Sequence, residues 1–209
     1  MTGLMNDKIF SFLDELYPNP KCELVYNKDY EFLISVMLSA QTTDKRVNIV
    51  TKKLFSKYKT LDDLASSSIS DIKSIIYSLG NYNKKAEAII EISKSLVPYG
   101  KVLNDREFLE KLPMVGRKTV NVVLSELFNI PNIAVDTHVF RVSKRLNLVR
   151  KSANVNETEE ELKRIIPKER WIRTHLQFVS FGRYFCTAKS PMCDKCKLKN
   201  ICIEKGLNS

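Results

Sequence analysis

Apolar residues in this chain recur three and four positions apart almost from end to end, a period that admits helices and little else. The run Ile69, Ile72, Ile75, Ile76 and Leu79 shows the pattern, with Ser70 and Asp71 marking its start and Gly80 its stop. The same period predicts helices over Ile9 to Leu16, Tyr30 to Leu38, Val47 to Tyr58, Lys84 to Leu96 and Phe108 to Leu112. It continues over Arg117 to Phe128, Val139 to Leu146, Glu157 to Ile166 and Trp171 to Phe181. No stretch alternates apolar and polar residues as a half-buried strand would, so the fold class is all-α.

With 209 residues, 44% of them hydrophobic, the chain can bury one large core or two small ones. Its formal net charge of +10 favours polyanionic partners such as nucleic acid, and is equally that of a nonspecific basic protein. The opening MTGLMNDKIF lacks the basic stretch and long apolar run of a secretion signal, and no later segment is long and apolar enough to span a bilayer. A cytoplasmic protein with no membrane partner is expected.

The segment Leu112-Pro113-Met114-Val115-Gly116-Arg117-Lys118-Thr119 joins a short helical pattern to a longer one and reads as a helix-hairpin-helix turn. Pro113 ends the first helix, Gly116 permits close backbone approach, and the free amides opening the second helix can face a DNA phosphate. Such contacts position a protein without reading sequence. A plain pair of antiparallel helices shows the same Pro and Gly.

Lys118 falls in the first turn of that second helix, where the positive end of the macrodipole and Arg117 both disfavour its protonation. A neutral amine there can attack a sugar C1′, expel the base and leave a Schiff base from which β-elimination cuts the strand. A solvated lysine is the alternative. Downstream, Asp136 precedes the helical pattern Val139, Val142, Leu146, where its ordinary role is an N-cap worth about 1 kcal/mol. Near Lys118, the same carboxylate can assist base departure by stabilising positive charge on the sugar or relaying a proton through water. His138 suits a phosphate contact or a structural hydrogen bond.

Cys186, Cys193, Cys196 and Cys202 are spaced C-x6-C-x2-C-x5-C, a compact set of thiolates for one metal centre. Zinc and a 4Fe-4S cluster both accept four thiolates, and a disulfide pair is the non-metal alternative. Cys22 stands alone, as a small core or surface residue. Arg183, Lys189, Lys195, Lys197 and Lys199 surround the set, opposed locally only by Asp194, with Glu204 and Lys205 following. Neither four-thiolate centre leaves an open coordination position, so the metal is expected to shape a DNA-binding loop and not to perform chemistry.

The order of hairpin lysine, Val135-Asp136-Thr137-His138 and the four cysteines resembles the endonuclease III family of DNA glycosylases over nearly the whole chain. Leu38-Ser39-Ala40-Gln41-Thr42-Thr43-Asp44 is similar to the family's LSAQxTD segment, and Asn83 to Ala86 lies where the family has an asparagine followed by Lys-Ala. The resemblance implies a bilobal fold with DNA across the cleft. One lobe is a six-helix barrel over 21–130 with the hairpin at about 107–128. The other combines 1–20 with 131–209 and a 4Fe-4S loop at 186–202. Lys118 would be the Schiff-base nucleophile and Asp136 the catalytic carboxylate. Gln41 would fill the gap left by the flipped base, since C1′ is inaccessible in a stacked duplex. Asn81, Val115, Gly116, Arg117, Thr119, His138 and Lys189 are further expected DNA contacts. The cofactor implied is the 4Fe-4S cluster, in preference to zinc. The partner is duplex DNA carrying a damaged base or abasic site, bound by a monomer.

Two positions depart from the family pattern. Met114 stands where the hairpin normally has glycine, so the turn is expected to approach phosphate less closely or to change conformation. Asn81 stands where a leucine wedge is usual, and an amide would hydrogen-bond where an apolar side chain unstacks bases. Three other activities fit parts of the pattern. A mismatch-adenine enzyme normally lacks the hairpin lysine. A mismatch thymine or uracil glycosylase shares the frame. A noncatalytic damage-binding protein would need neither Lys118 nor Asp136.

Overall fold

The computed structural model describes residues 3–203, with side chains from Asn6 onward, and contains no strand among them. Its α-helices are α1 (Gly3–Leu16), α2 (Asp29–Leu38), α3 (Asp44–Lys57), α4 (Leu61–Ala65), α5 (Ile69–Ile76) and α6 (Tyr82–Leu96). They continue as α7 (Arg106–Lys111), α8 (Arg117–Phe128), α9 (Thr137–Arg145), α10 (Val155–Ile165) and α11 (Trp171–Tyr184). None of these is long and apolar enough to cross a membrane. The chain divides into a central unit, Glu23–Phe128, and a terminal unit, Met1–Cys22 with Asn129–Ser209. Glu204 and Lys205 lie outside the described residues.

The central unit is built on α2. Every residue from Tyr30 to Leu38 is buried, as a helix apolar all round must be, and α3, α6 and α8 pack against it. Glu31, only 5% exposed, answers for its burial by accepting the amides of Asn27 at 2.7 Å and Lys28 at 3.3 Å, donors that α2 leaves unpaired at its start. Beyond α2 the backbone turns left-handed at Gln41 (φ 58°). Thr43 then caps α3 by accepting from the Arg46 amide at 3.3 Å.

Two boundaries differ from the sequence expectation. Ser70 and Asp71 lie inside the first turn of α5, whose N-cap is Ser68, and the helix stops at Ile76 well before Gly80. The residues between finish the apolar stripe in a turn, since Leu79 is 2% exposed and its amide bonds to Ile76 O at 2.9 Å. The short α4 has no counterpart among the predicted helices. Five residues carry too little periodicity to detect, although its Thr60–Asp63 capping box, with both reciprocal bonds made, is a readable signal.

In the terminal unit, Ile9 and Leu13 of α1, Val139 and Val142 of α9, Leu162 of α10 and Phe178 and Phe181 of α11 share one core. Each such side chain contributes about 1.5–3 kcal/mol on burial. Phe12 meets Phe181 and Phe185 edge-on at 6.2 and 5.8 Å. Asp14 ties α1 to α11 by accepting from Arg170, Arg173 and Gln177 within 3.0 Å. These donors hold its carboxyl below the usual range despite the opposing effect of burial.

Candidate active site and cysteine loop

The hairpin is a tight turn between α7 and α8. Asp105 caps α7 by accepting from the Phe108 amide at 3.1 Å, and Leu112 is already extended (φ −70°, ψ 142°), as a residue before proline prefers. The Val115 amide then bonds to Leu112 O at 3.2 Å across Pro113 and Met114. Met114 has φ 59°, so the four residues follow a type II turn with proline at its second position and a left-handed residue at its third. Met114 therefore adopts the conformation glycine favours, and the departure from the family pattern falls on its side chain, which is 41% exposed.

Past the turn, the helical ladder of α8 opens with Val120 N–H to Gly116 O at 3.0 Å, which leaves the amides of the first turn without intrahelical acceptors. Gly116, Arg117 and Lys118 are exposed, whereas Val115 and Thr119 are buried. Val115 and Thr119 can thus serve a ligand only through their backbone. A Cβ on Gly116 would meet nothing within 4 Å, so the space above it is open.

Two further left-handed turns of the central unit carry exposed amide side chains, Gln41 at φ 58° and Asn81 at φ 57°. Asn81 is the N-cap residue of α6, yet its side chain makes no capping bond, so its amide is not consumed by the helix. Between the two lies Lys85, 1% exposed, whose Nζ donates to Leu38 O at 3.0 Å and Ala40 O at 2.9 Å.

In the terminal unit, Asp136 is the N-cap of α9. One carboxylate oxygen accepts the amides of His138 and Val139, each at 2.8 Å. The first turn of α9 is pressed against α11 at Gly182, where an added Cβ would stand 2.8 Å from His138 Cβ and 3.2 Å from Arg141 Nη2. His138 is half-buried and lies 3.3 Å from Arg141 Nη2 through Nδ1. Burial lowers its pKa, and the Arg141 and Arg183 charges add to that, against the opposing pull of Asp136 and a bond to the Gly182 backbone. The lowered pKa favours the uncharged ring, in keeping with its hydrogen-bonding place beside Arg141.

Two arginines four residues apart on α9, which sequence reasoning passed over, fasten the cysteine loop. Arg141 donates to Gly182 O at 2.7 Å and Cys186 O at 3.2 Å. Arg145, 5% exposed, donates to Thr187 O at 2.6 Å, Ala188 O at 3.2 Å and Cys186 Sγ at 3.4 Å. Their spacing on one helix face was the available signal. The Ile203 amide returns the end of the loop to Arg145 O at 3.0 Å.

Cys186, Cys193, Cys196 and Cys202 line one cavity whose other walls are mostly apolar, from Leu146, Phe181, Phe185, Pro191 and Met192. None of the five cysteines is in a disulfide. Burial pushes the Cys196 thiol up, and the other three thiols push it further against a hydrogen bond from the Leu198 backbone. Around the loop, Lys189 and Lys195 are exposed. Lys199 pairs with Asp194 at 3.4 Å, and Lys197 pairs with Glu15 of α1 at 2.6 Å. Glu15, distant in sequence, thus joins Asp194 in opposing the basic patch.

A family model described as HhH-GPD superfamily base excision DNA repair protein matches residues 34–168, a span holding the hairpin, Lys118 and Asp136. The chain belongs to this superfamily. Endonuclease III of Bacillus subtilis (strain 168) is 46% identical over 194 residues, covering 92% of this chain and 89% of that protein. Endonuclease III of Rickettsia felis is 45% identical over 206 residues, 97% of this chain and 95% of that protein. Among solved structures, a trapped endonuclease III–DNA covalent intermediate, an estranged-adenine complex, superposes with a TM-score of 0.93 at 45% identity, covering 98% of this chain and 97% of that chain. The fold is the HhH-GPD fold of endonuclease III. The superfamily match ends before the cysteine loop, and the full-length endonuclease III likeness takes that loop in.

Proposed function

We propose that Lys118 and Asp136 carry the chemistry of a base-excision DNA glycosylase with AP-lyase activity, acting on duplex DNA with oxidised pyrimidines and abasic sites as its substrates. The observation that carries this reading is the hairpin itself. It presents an exposed lysine in the first turn of α8, beside amides that α8 leaves unpaired and over open space at Gly116. A phosphate bound at that helix end would hold the neighbouring sugar near Lys118 Nζ.

Lys118 Nζ attacks C1′ as the N-glycosidic bond breaks, and the base leaves with the bonding pair and takes up a proton. Opening of the sugar gives a Schiff base. Loss of a C2′ proton then drives β-elimination, which breaks the C3′–O bond and releases the 3′ phosphate; water finally hydrolyses the imine and frees Lys118. Asp136 stabilises the positive charge that develops at C1′, the role open to a carboxylate fixed by its helix. Gln41 and Asn81 enter the space vacated by the flipped nucleotide and face the opposite strand, while Arg117, Lys189 and the amides of 115–119 hold phosphate. His138 supports the first turn of α9.

The donor set at the cysteine loop fits a 4Fe-4S cluster, which the likeness to endonuclease III favours over zinc. Four cysteines line one cavity whose other walls are mostly apolar, and four thiolates are the ligand set that such a cluster takes. Cys186, Cys193, Cys196 and Cys202 would hold the cluster, with Arg145 and the Leu198 amide donating to two of the sulfurs. The bound cluster supplies a fixed scaffold for the basic loop.

Incubation with a duplex carrying one abasic site, followed by borohydride, tests the reading. A covalent protein–DNA adduct is expected with wild type and not with Lys118→Ala. A wild-type protein that binds this duplex tightly with its metal centre intact, yet yields no adduct, would overturn the lyase assignment.

A further inference from the structure

Lys85 is a fully buried lysine with no carboxylate partner, and the chemistry above makes no use of it. Burying a cation is costly, and burial alone lowers the pKa of this amine. A methionine or leucine would fill the same volume without that cost. What the lysine adds is two hydrogen bonds, both to the segment leading into Gln41: Leu38 O is the last carbonyl of α2, and Ala40 O belongs to the residue directly before Gln41. The carbonyl end of a helix favours a cation and leaves acceptors for it. At the other end of the same residue, the Lys85 backbone N–H donates to Asn81 O at 3.1 Å.

One residue is therefore bonded to both left-handed turns, and each turn presents an exposed amide side chain. Left-handed non-glycine residues cost roughly 1–2 kcal/mol each and persist only where neighbours hold them. We propose that Lys85 is a positioning residue that yokes the Gln41 and Asn81 turns, so that both side chains enter the duplex as one rigid unit. The inference rests on the reading of Gln41 and Asn81 as the inserting residues. It assigns Lys85 no contact with the reacting atoms.

The test uses the full-length protein and Lys85→Met, with 2-aminopurine placed beside an abasic site in duplex DNA. Loss of the 2-aminopurine unstacking signal is expected. The KM on this duplex should rise about tenfold or more, because loosened positioning residues cost binding geometry. On an abasic site held in a small mismatched bubble, already unstacked, the borohydride trapping rate should stay within about twofold of wild type. Gln41→Ala added to Lys85→Met should cost little beyond either change alone, the mark of residues acting together. Equal slowing on both substrates, or additive costs, would overturn the yoke. If Lys85→Met does not fold, Lys85→Gln reaches one carbonyl instead of two, and the same contrast between substrates decides. The unstacking signal needs no turnover, so it judges the yoke even where no adduct forms, whereas a missing wild-type adduct counts against the lyase reading alone.

Discussion

The start of α8 and the start of α9 are both helix N-termini with a charged side chain, and they are built in opposite ways. At α8, Gly116, Arg117 and Lys118 are exposed, and the glycine has open space above it. At α9, Asp136 accepts two amides, Gly182 leaves no room for a methyl group, and Arg141 and Arg145 bind the helix to the cysteine loop. The contrast matches the work proposed for each end. A nucleophile must reach a sugar and later leave it, so its side chain stays free. A carboxylate that stabilises charge works only if it is already in place, because reorganising it would consume the stabilisation it offers.

The largest effect should come from the open end. Lys118→Ala is expected to lower strand cleavage by at least about a thousandfold, as loss of a nucleophile does, while its melting temperature stays near wild type because the side chain packs against little. Asp136→Asn sharpens the contrast at the fixed end. Asparagine caps as well as aspartate, so thermal unfolding should change by less than about 0.5 kcal/mol, while kcat falls roughly a hundredfold with the loss of the charge. Asp136→Ala should lose the cap as well, about 1 kcal/mol more. If the asparagine variant proved as active as wild type, Asp136 would be a cap and nothing else.

Gly182→Ala tests whether the fixed end is fixed by packing. The new Cβ would stand 2.8 Å from His138 Cβ, an atom attached directly to the α9 backbone and unable to swing aside. The first turn of α9 must shift, at a cost of about 1–3 kcal/mol in stability as for other overpacked sites. A drop in kcat of roughly tenfold should accompany it. Unchanged stability and activity together would show that α9 tolerates displacement, and the comparison between the two ends would collapse.

Much of this arrangement was readable in the chain, and its gaps have physical causes. The 3.6-residue period located α5, α8 and α9, and the order of hairpin, Asp136 and cysteines carried the family resemblance. Lys85 was hidden because a lysine within an amphipathic pattern reads as solvated, and only tertiary packing shows that the end of α2 and the turn after it each offer it a carbonyl. The ion pair of Glu15 with Lys197 joins residues too distant in sequence for any local pattern. Gly182 marks no turn, so its role as a close-approach site appears only once α9 lies against α11. The left-handed turn at Gln41 is likewise silent, since no glycine announces it, whereas at Met114 the hairpin was legible and only its left-handed backbone was not.

Met114 is where the smallest effect is expected, and it asks whether the open end is also a relaxed one. Its backbone holds φ 59°, a conformation that costs an L-residue roughly 1–2 kcal/mol and glycine almost nothing. Glycine also gains entropy in the unfolded chain, which offsets part of that relief. Met114→Gly should therefore raise stability by about 1 kcal/mol or less, a shift of at most about 2–4 °C in melting temperature for a chain of this size. Cleavage should change by no more than about twofold, because the backbone path that presents Lys118 is the same in both. A fall in stability would mean that the half-exposed methionine side chain holds the turn by contact. The open end would then owe its geometry to packing, as the fixed end does.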